Sequence, residues 1–221
     1  HEEIGKAITV LREWGAKRII LIGHSTGGLN AALYAHDYPR AVDALILNSP
    51  WLDHNGPDVE KIQATKLVKR IGLRTPRLPI STLQPHYARN LHVNHGGEFS
   101  FNPMHKPLTT VPVLAGFFRA VRLAQEEIAD GLTIREPVLV AHSDSSGNFN
   151  NPTREELLST DVVLNVDDMT RLAPKLGINV TTLEVLSGRH DLALSQKPSR
   201  NLYTRESIAW ALDVAGNETR Y

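Results

Sequence analysis

An α/β fold is predicted by three observations. Four short apolar runs, three of them rich in β-branched residues, alternate with segments of helical period, and glycine, proline or a polar cluster marks the changeovers. The 221 residues suit one domain, or one domain carrying a sizeable insertion. Composition then excludes several classes. With 24 Lys+Arg against 24 Asp+Glu the formal net charge is zero, so the basic excess of a nucleic-acid or acidic-membrane binder is lacking. No apolar stretch approaches the roughly 20 residues of a membrane span. The absence of cysteine removes disulfides, thiolate nucleophiles and cysteine metal sites, and leaves the redox compartment open. The first residue is His1 and no signal-like leader precedes the first helix. A chain whose beginning is missing, located in the cytoplasm, is expected.

Each element has a local reason. Glu2 to Trp14 places Ile4, Ala7, Ile8 and Leu11 on one helical face, and Gly15 follows as a C′ stop. Ile19-Ile20-Leu21-Ile22 is too brief for a helix and ends in Gly23, which predicts a buried parallel strand. A helix from Thr26 to Tyr38 stops before Pro39, and Ala41 to Leu47 forms a second strand closed by Asn48-Ser49-Pro50. That is a βαβ unit. From about Pro50 to Arg135 the pattern changes. Eight of the 13 prolines lie there, helical stretches are short, and helices are predicted at Val59–Ile71 and Phe117–Ile128. Pro137 opens a third strand, Val138–Ala141, followed by a polar run from Ser143 to Asn151. A helix near Val166–Leu176, a fourth strand at Val180–Leu186 and a helix from Pro198 to Val214 complete the chain.

The informative stretch is Gly23-His24-Ser25-Thr26-Gly27-Gly28, a G-x-S-x-G match. A predicted strand feeds directly into it and a helix leaves it, as a nucleophile elbow requires. Such a turn strains the serine backbone, and a Cβ at Gly23 or Gly27 is expected to crowd the chain. Ser25 would stand at the carboxyl end of a strand, where open α/β sheets bind ligands. The backbone N–H of Thr26, at the start of the helix, would face a developing oxyanion. A phosphate-cradling turn is the alternative, but no Lys follows the glycines, so a P-loop fails.

Gly23–Gly28, the run Leu45-Ile46-Leu47-Asn48-Ser49-Pro50-Trp51-Leu52-Asp53 and Gly188-Arg189-His190-Asp191 together resemble the α/β-hydrolases of the lysophospholipase and monoacylglycerol-lipase group, which overlaps with the serine aminopeptidase-like hydrolases. The resemblance runs from residue 1 to about residue 212 and thins between Pro50 and Arg135. It implies the C-terminal part of an α/β-hydrolase fold, a parallel sheet flanked by helices. Residues 1–50 and 136–221 would form the core, and 51–135 a helical, irregular cap. The family's first strands would be missing, leaving one edge of Ile19–Ile22 unpaired. The loop donating a second oxyanion N–H would be missing with them, a loss that costs ~100- to 1,000-fold in rate.

A serine hydroxyl needs a base, and the base needs an orienting carboxylate. Among ten histidines, His190 follows the last strand, where the resemblance puts the base. For the acid, Asp161-Val162-Val163-Leu164-Asn165-Val166 resembles the family's D-x-V-x-D-P run, and its apolar residues would pack the loop. Asp144, directly after the third strand, is the alternative, with Asp53 behind it. Asp161 is preferred.

The resemblance thus implies a serine hydrolase of carboxylic esters, working through an acyl-enzyme on a small acyl-bearing substrate. No metal or organic cofactor is implied. An aminopeptidase or amidase would need an acidic, amine-binding cap, and Asp58, Glu60 and Glu98 are too scattered to form one. A non-catalytic receptor of the same fold is the other alternative.

Three further features are read as structural. His95-Gly96-Gly97-Glu98 lies downstream of the nucleophile and so cannot be the upstream H-G-G-G oxyanion loop of some lipases. His92 and His95 are three apart, but the glycines that follow argue for a loop rather than a metal site. Phe99, Phe101, Phe117 and Phe118 are read as packing first and acyl-pocket lining second.

Overall fold

The computed structural model describes residues 1–55 and 58–216, together with most of their side chains. Helix α1 (Glu2–Glu13) ends at Gly15, whose φ of 91° makes it the left-handed residue past the helix, with its N–H on the Arg12 carbonyl. Strand β1 (Ile20–His24), helix α2 (Thr26–Asp37) and strand β2 (Ala44–Asn48) form the predicted βαβ unit. Asp43 ties its start together. Its carboxylate accepts from the Ile19 N–H at 2.7 Å and pairs with Arg12 and Arg18.

The chain then runs through α3 (Asp58–Arg74), β3 (Pro79–Leu83), α4 (His86–Leu91), β4 (Val111–Leu114) and α5 (Ala115–Asp130). It returns to the sheet as β5 (Val138–Ser143) and continues with α6 (Arg154–Ser159), α7 (Val166–Leu172), β6 (Val180–Val185) and α8 (Lys197–Gly216). Two sheets result. The main one is parallel, in the order β1-β2-β5-β6, while β3 and β4 make a separate antiparallel pair.

Both central strands, β2 and β5, are buried along their whole lengths, and their first four residues, Ala44–Leu47 and Val138–Ala141, are apolar throughout. Leu29 and Leu33 of α2, Leu45 and Leu47, Val138 and Val140, Ile128 of α5 and Leu172 of α7 share one core. On the usual scale, burying each large aliphatic side chain stabilises by about 1.5–3 kcal/mol. Among the described residues, no helix is long and apolar enough to cross a membrane.

The structure departs from expectation in several places: α4 and α6 lie where no helix is expected, and the second strand begins at Ala44 rather than Ala41. β1 is not buried throughout: Ile19 just before it is covered, but Ile20 and Leu21 are only partly buried and Ile22 is 64% exposed, because the described sheet gives β1 a neighbour on one side only. Of the apolar face expected on α1, Ile4 and Ile8 are partly covered and Ala7 and Leu11 are exposed. The helix predicted to reach Leu176 ends at Leu172 and continues as a 3₁₀ turn over Ala173–Lys175, since Pro174 has no N–H for the helical ladder. The β3/β4 pair was not foreseen. Every residue of β3 is exposed, so no buried apolar face marks it, and Pro112 interrupts the short apolar β4.

Candidate active site

The site begins at the turn between β1 and α2. Ser25 adopts φ 55° and ψ −120°, a sparsely populated region for a residue with a side chain. The surrounding contacts hold it there. Its N–H donates to the Asn48 carbonyl at 3.1 Å, and its own carbonyl accepts from Gly28, Leu29 and Trp51. The helix can approach so closely because two positions lack a Cβ. At Gly23 a Cβ would lie 2.5 Å from the Gly27 carbonyl oxygen, and at Gly28 one would lie 2.7 Å from Pro50 Cβ. The expected crowding at Gly27 is absent: a Cβ there meets nothing within 4 Å, because Gly27 faces outward from the turn. Gly28, not Gly27, is the second tight position.

Ser25, His190 and Asp161 come together from three distant parts of the chain. The Ser25 Oγ lies 3.0 Å from His190 Nε2, and His190 Nδ1 lies 2.9 Å from Asp161 Oδ2. Asp161 is fully buried, and its other oxygen accepts from the N–H groups of Val163 and Leu164, both at 2.8 Å. The carboxylate therefore has one free direction, toward the imidazole. Val162 and Leu164 pack inward as expected, whereas Val163 turns to the cavity.

Asp144 does not reach His190 in this arrangement. Its Oδ1 accepts the Ser187 N–H at 2.8 Å, bracing the backbone three residues before the histidine. Asp53 is occupied elsewhere, paired with Arg122 of α5 at 2.8 Å and Arg171 of α7 at 3.0 Å. Thr26, the first residue of α2, has no carbonyl a turn earlier within the helix to receive its N–H.

Three neighbours of His190 escaped sequence reasoning. The His24 ring packs 4.7 Å from the His190 ring, and its Nδ1 donates to the Asn48 carbonyl at 3.0 Å. The Asn48 side chain links β2 to the histidine loop, donating to Asp191 Oδ1 at 2.8 Å and accepting from the Leu192 N–H. Tyr87 of α4 stands edge-on to His190, its ring 5.5 Å away, and its hydroxyl accepts the Asp191 N–H at 2.9 Å. Burial, helped by the Asp191 charge, pushes the Tyr87 phenol well above its usual value. His24 sits inside the Gly23–Gly28 motif and could have been flagged there; Asn48 and Tyr87 carry no local signal.

Burial first, then the His190 ring, hold the His24 imidazole below its ordinary 6.5, and Asp191 and the Asn48 carbonyl only partly oppose them. The unfolded chain therefore binds more protons than the folded one just below pH 6.5. Stability should fall as the pH drops through that window. In urea titrations at successive pH values, His24→Gln is expected to flatten this decline; an unchanged slope would exclude His24 as its source.

A cavity of about 310 Å³ opens over Ser25, His24 and His190. Its apolar wall comes from Leu83, Pro85, Ala88, Pro107, Val111 and Val163. None of the four phenylalanines considered as lining belongs to it. Phe117 rests near Trp51, Phe118 on His54, Phe101 on His92 and Phe99 beneath Arg200. Both nitrogens of His92 engage backbone groups, Phe101 O and Asn94 N–H, which leaves neither for a metal. The side chains of Asp58 and Glu60 lie outside the described residues.

Comparison with known proteins agrees with this architecture. The monoacylglycerol lipase of Paleococcus ferrophilus superposes with a TM-score of 0.65 at 19% identity, over 96% of this chain and 75% of that one. A soluble variant of monoglyceride lipase from Saccharomyces cerevisiae, in complex with a substrate analog, gives 0.63 at 13% identity, over 88% of this chain and 64% of that one. At such identities the likeness is one of fold. Among curated sequences, 1-acylglycerol-3-phosphate O-acyltransferase ABHD5 of Sus scrofa is 42% identical over 53 residues, a match spanning 22% of this chain and only 15% of that protein. The family model described as serine aminopeptidase, S33, matches residues 4–209. A match over nearly the whole length, on a parallel α/β sheet of this topology, means that the chain belongs to the serine aminopeptidase S33 family of α/β-hydrolases.

Proposed function

We propose that this protein is a serine hydrolase of carboxylic esters with an acyl chain. The observation that carries the reading is the continuous run of hydrogen-bonding distances from Ser25 Oγ through His190 to Asp161. Ser25 Oγ attacks the ester carbonyl while His190 Nε2 takes its proton. Asp161 keeps the proton on Nδ1 and balances the imidazolium charge. The Thr26 N–H, at the positive end of α2, donates to the oxyanion. Collapse expels the alcohol, which takes the proton from His190 and leaves Ser25 acylated. Water then attacks the acyl-enzyme, giving its proton to His190, and the acid departs as the proton returns to Ser25.

Residues 51–135 act as the cap in this reading, since β3, α4, the loop after it and β4 supply most of the apolar wall above Ser25. That wall suits an acyl chain. Aminopeptidase action fits less well: a substrate ammonium calls for a carboxylate, and among the described residues no Asp or Glu lines the cavity. The lipase activities named for the Paleococcus and yeast proteins support the ester reading by analogy of fold.

A fluorophosphonate probe tests the proposal. Labelling should occur at Ser25, vanish in Ser25→Ala and drop sharply in His190→Ala. A protein left unlabelled, or a Ser25→Ala variant still labelled, would overturn it.

A further inference from the structure

Within the cavity of the proposed esterase, one charge has no use in the mechanism above. We propose that Lys106 reads an anionic group, a phosphate or a carboxylate, carried by the substrate ester. Lys106 lines the cavity together with Ser25, His24 and His190, and it is the one lining residue with a permanent positive charge. Its ammonium sits 5.3 Å from the centre of the Tyr87 ring. That ring is itself anchored, edge-on to His190 and bonded through its hydroxyl to the Asp191 N–H. The charge is thus held about one aromatic ring away from the imidazole that faces the nucleophile.

The position is constrained from the backbone side as well. The Lys106 N–H donates to the Asn102 carbonyl at 3.2 Å, and Pro107 restricts the residue before it. Among the described residues, no carboxylate lies within 4.0 Å of the ammonium, and none lines the cavity. A ring face satisfies a cation only in part. An apolar substrate would strip water from the ammonium without replacing it, whereas an anion would supply the missing partner. The charge therefore discriminates between esters, favouring those with an anionic group within reach and penalising neutral ones of the same length.

This inference rests on the ester reading, and a binding experiment separates the two. Calorimetric titration of the Ser25→Ala protein would use three ligands of equal chain length: a monodecanoylglycerol, its phosphate ester and its hemisuccinate. At low salt the anionic ligands should bind about 10-fold more tightly than the neutral one, with the advantage shrinking in about 0.5 M NaCl. Adding Lys106→Met, or Lys106→Gln as a second neutral replacement, should erase the preference, and Lys106→Arg should keep it. Whichever anion gains more identifies the group read. Equal affinities, or a preference that survives both neutral replacements, would overturn the role of Lys106 while leaving the ester reading in place. Failure of all three ligands to bind would overturn both.

Discussion

Asp161→Asn is expected to slow ester turnover by roughly 10⁴-fold, while Asp144→Asn changes it by less than about 10-fold. The asymmetry follows from hydrogen-bond bookkeeping. Asp161 Oδ1 receives two backbone N–H groups, from Val163 and Leu164. An asparagine must keep its carbonyl oxygen there, which turns its NH₂ toward His190 Nδ1. That nitrogen would then have to accept, its proton would move to Nε2, and Nε2 could no longer take the proton of Ser25. Asp144 Oδ1 accepts the Ser187 N–H and, more weakly, the Ser143 hydroxyl, and an asparagine oxygen can accept both. Steady-state turnover of an ester, alongside circular dichroism to confirm folding, reads the result. Loss of activity in the Asp144 variant alone would move the acid to the end of β5.

The second large effect is expected at the elbow. In Gly23→Ala the new methyl would lie 2.5 Å from Gly27 O and 2.8 Å from both Gly27 C and Gly28 Cα. All three are backbone atoms, so no side-chain rotation relieves the clash and α2 must move away from β1. A destabilisation of about 3 kcal/mol is expected, together with about 100-fold lower activity as Ser25 shifts against His190. Gly27→Ala is the control. Its methyl enters open space on a helix, so stability should hold or rise by up to about 1 kcal/mol. Urea midpoints of the two variants decide the matter; similar behaviour at both positions would mean that strand and helix are not in close approach.

These experiments touch residues whose visibility in the sequence differed greatly. The elbow is a local object: strand, turn and helix are contiguous, so Gly23 to Gly28 carried its own signature. Only the weighting of Gly27 against Gly28 was misplaced, because which glycine faces Pro50 depends on the helix orientation after the turn. His190 and Asp161 were named through family resemblance rather than periodicity. The residues that position them were not legible. Asn48 lies 143 residues from Asp191, and Tyr87 lies 104 residues from it. Nothing near either one in sequence announces the pairing.

By itself the sequence determined the alternation of strands and helices and the place of the serine at a strained turn. Each of these depends on side-chain pattern or backbone freedom within a dozen residues. Tertiary structure alone decided how the Asp161 carboxylate is held toward the imidazole, which helix and loop of residues 51–135 stand over it, and where the Lys106 charge points. Those outcomes depend on hydrogen bonds and contacts between segments that become neighbours only after the sheet has assembled, and short-range patterning contains no record of them.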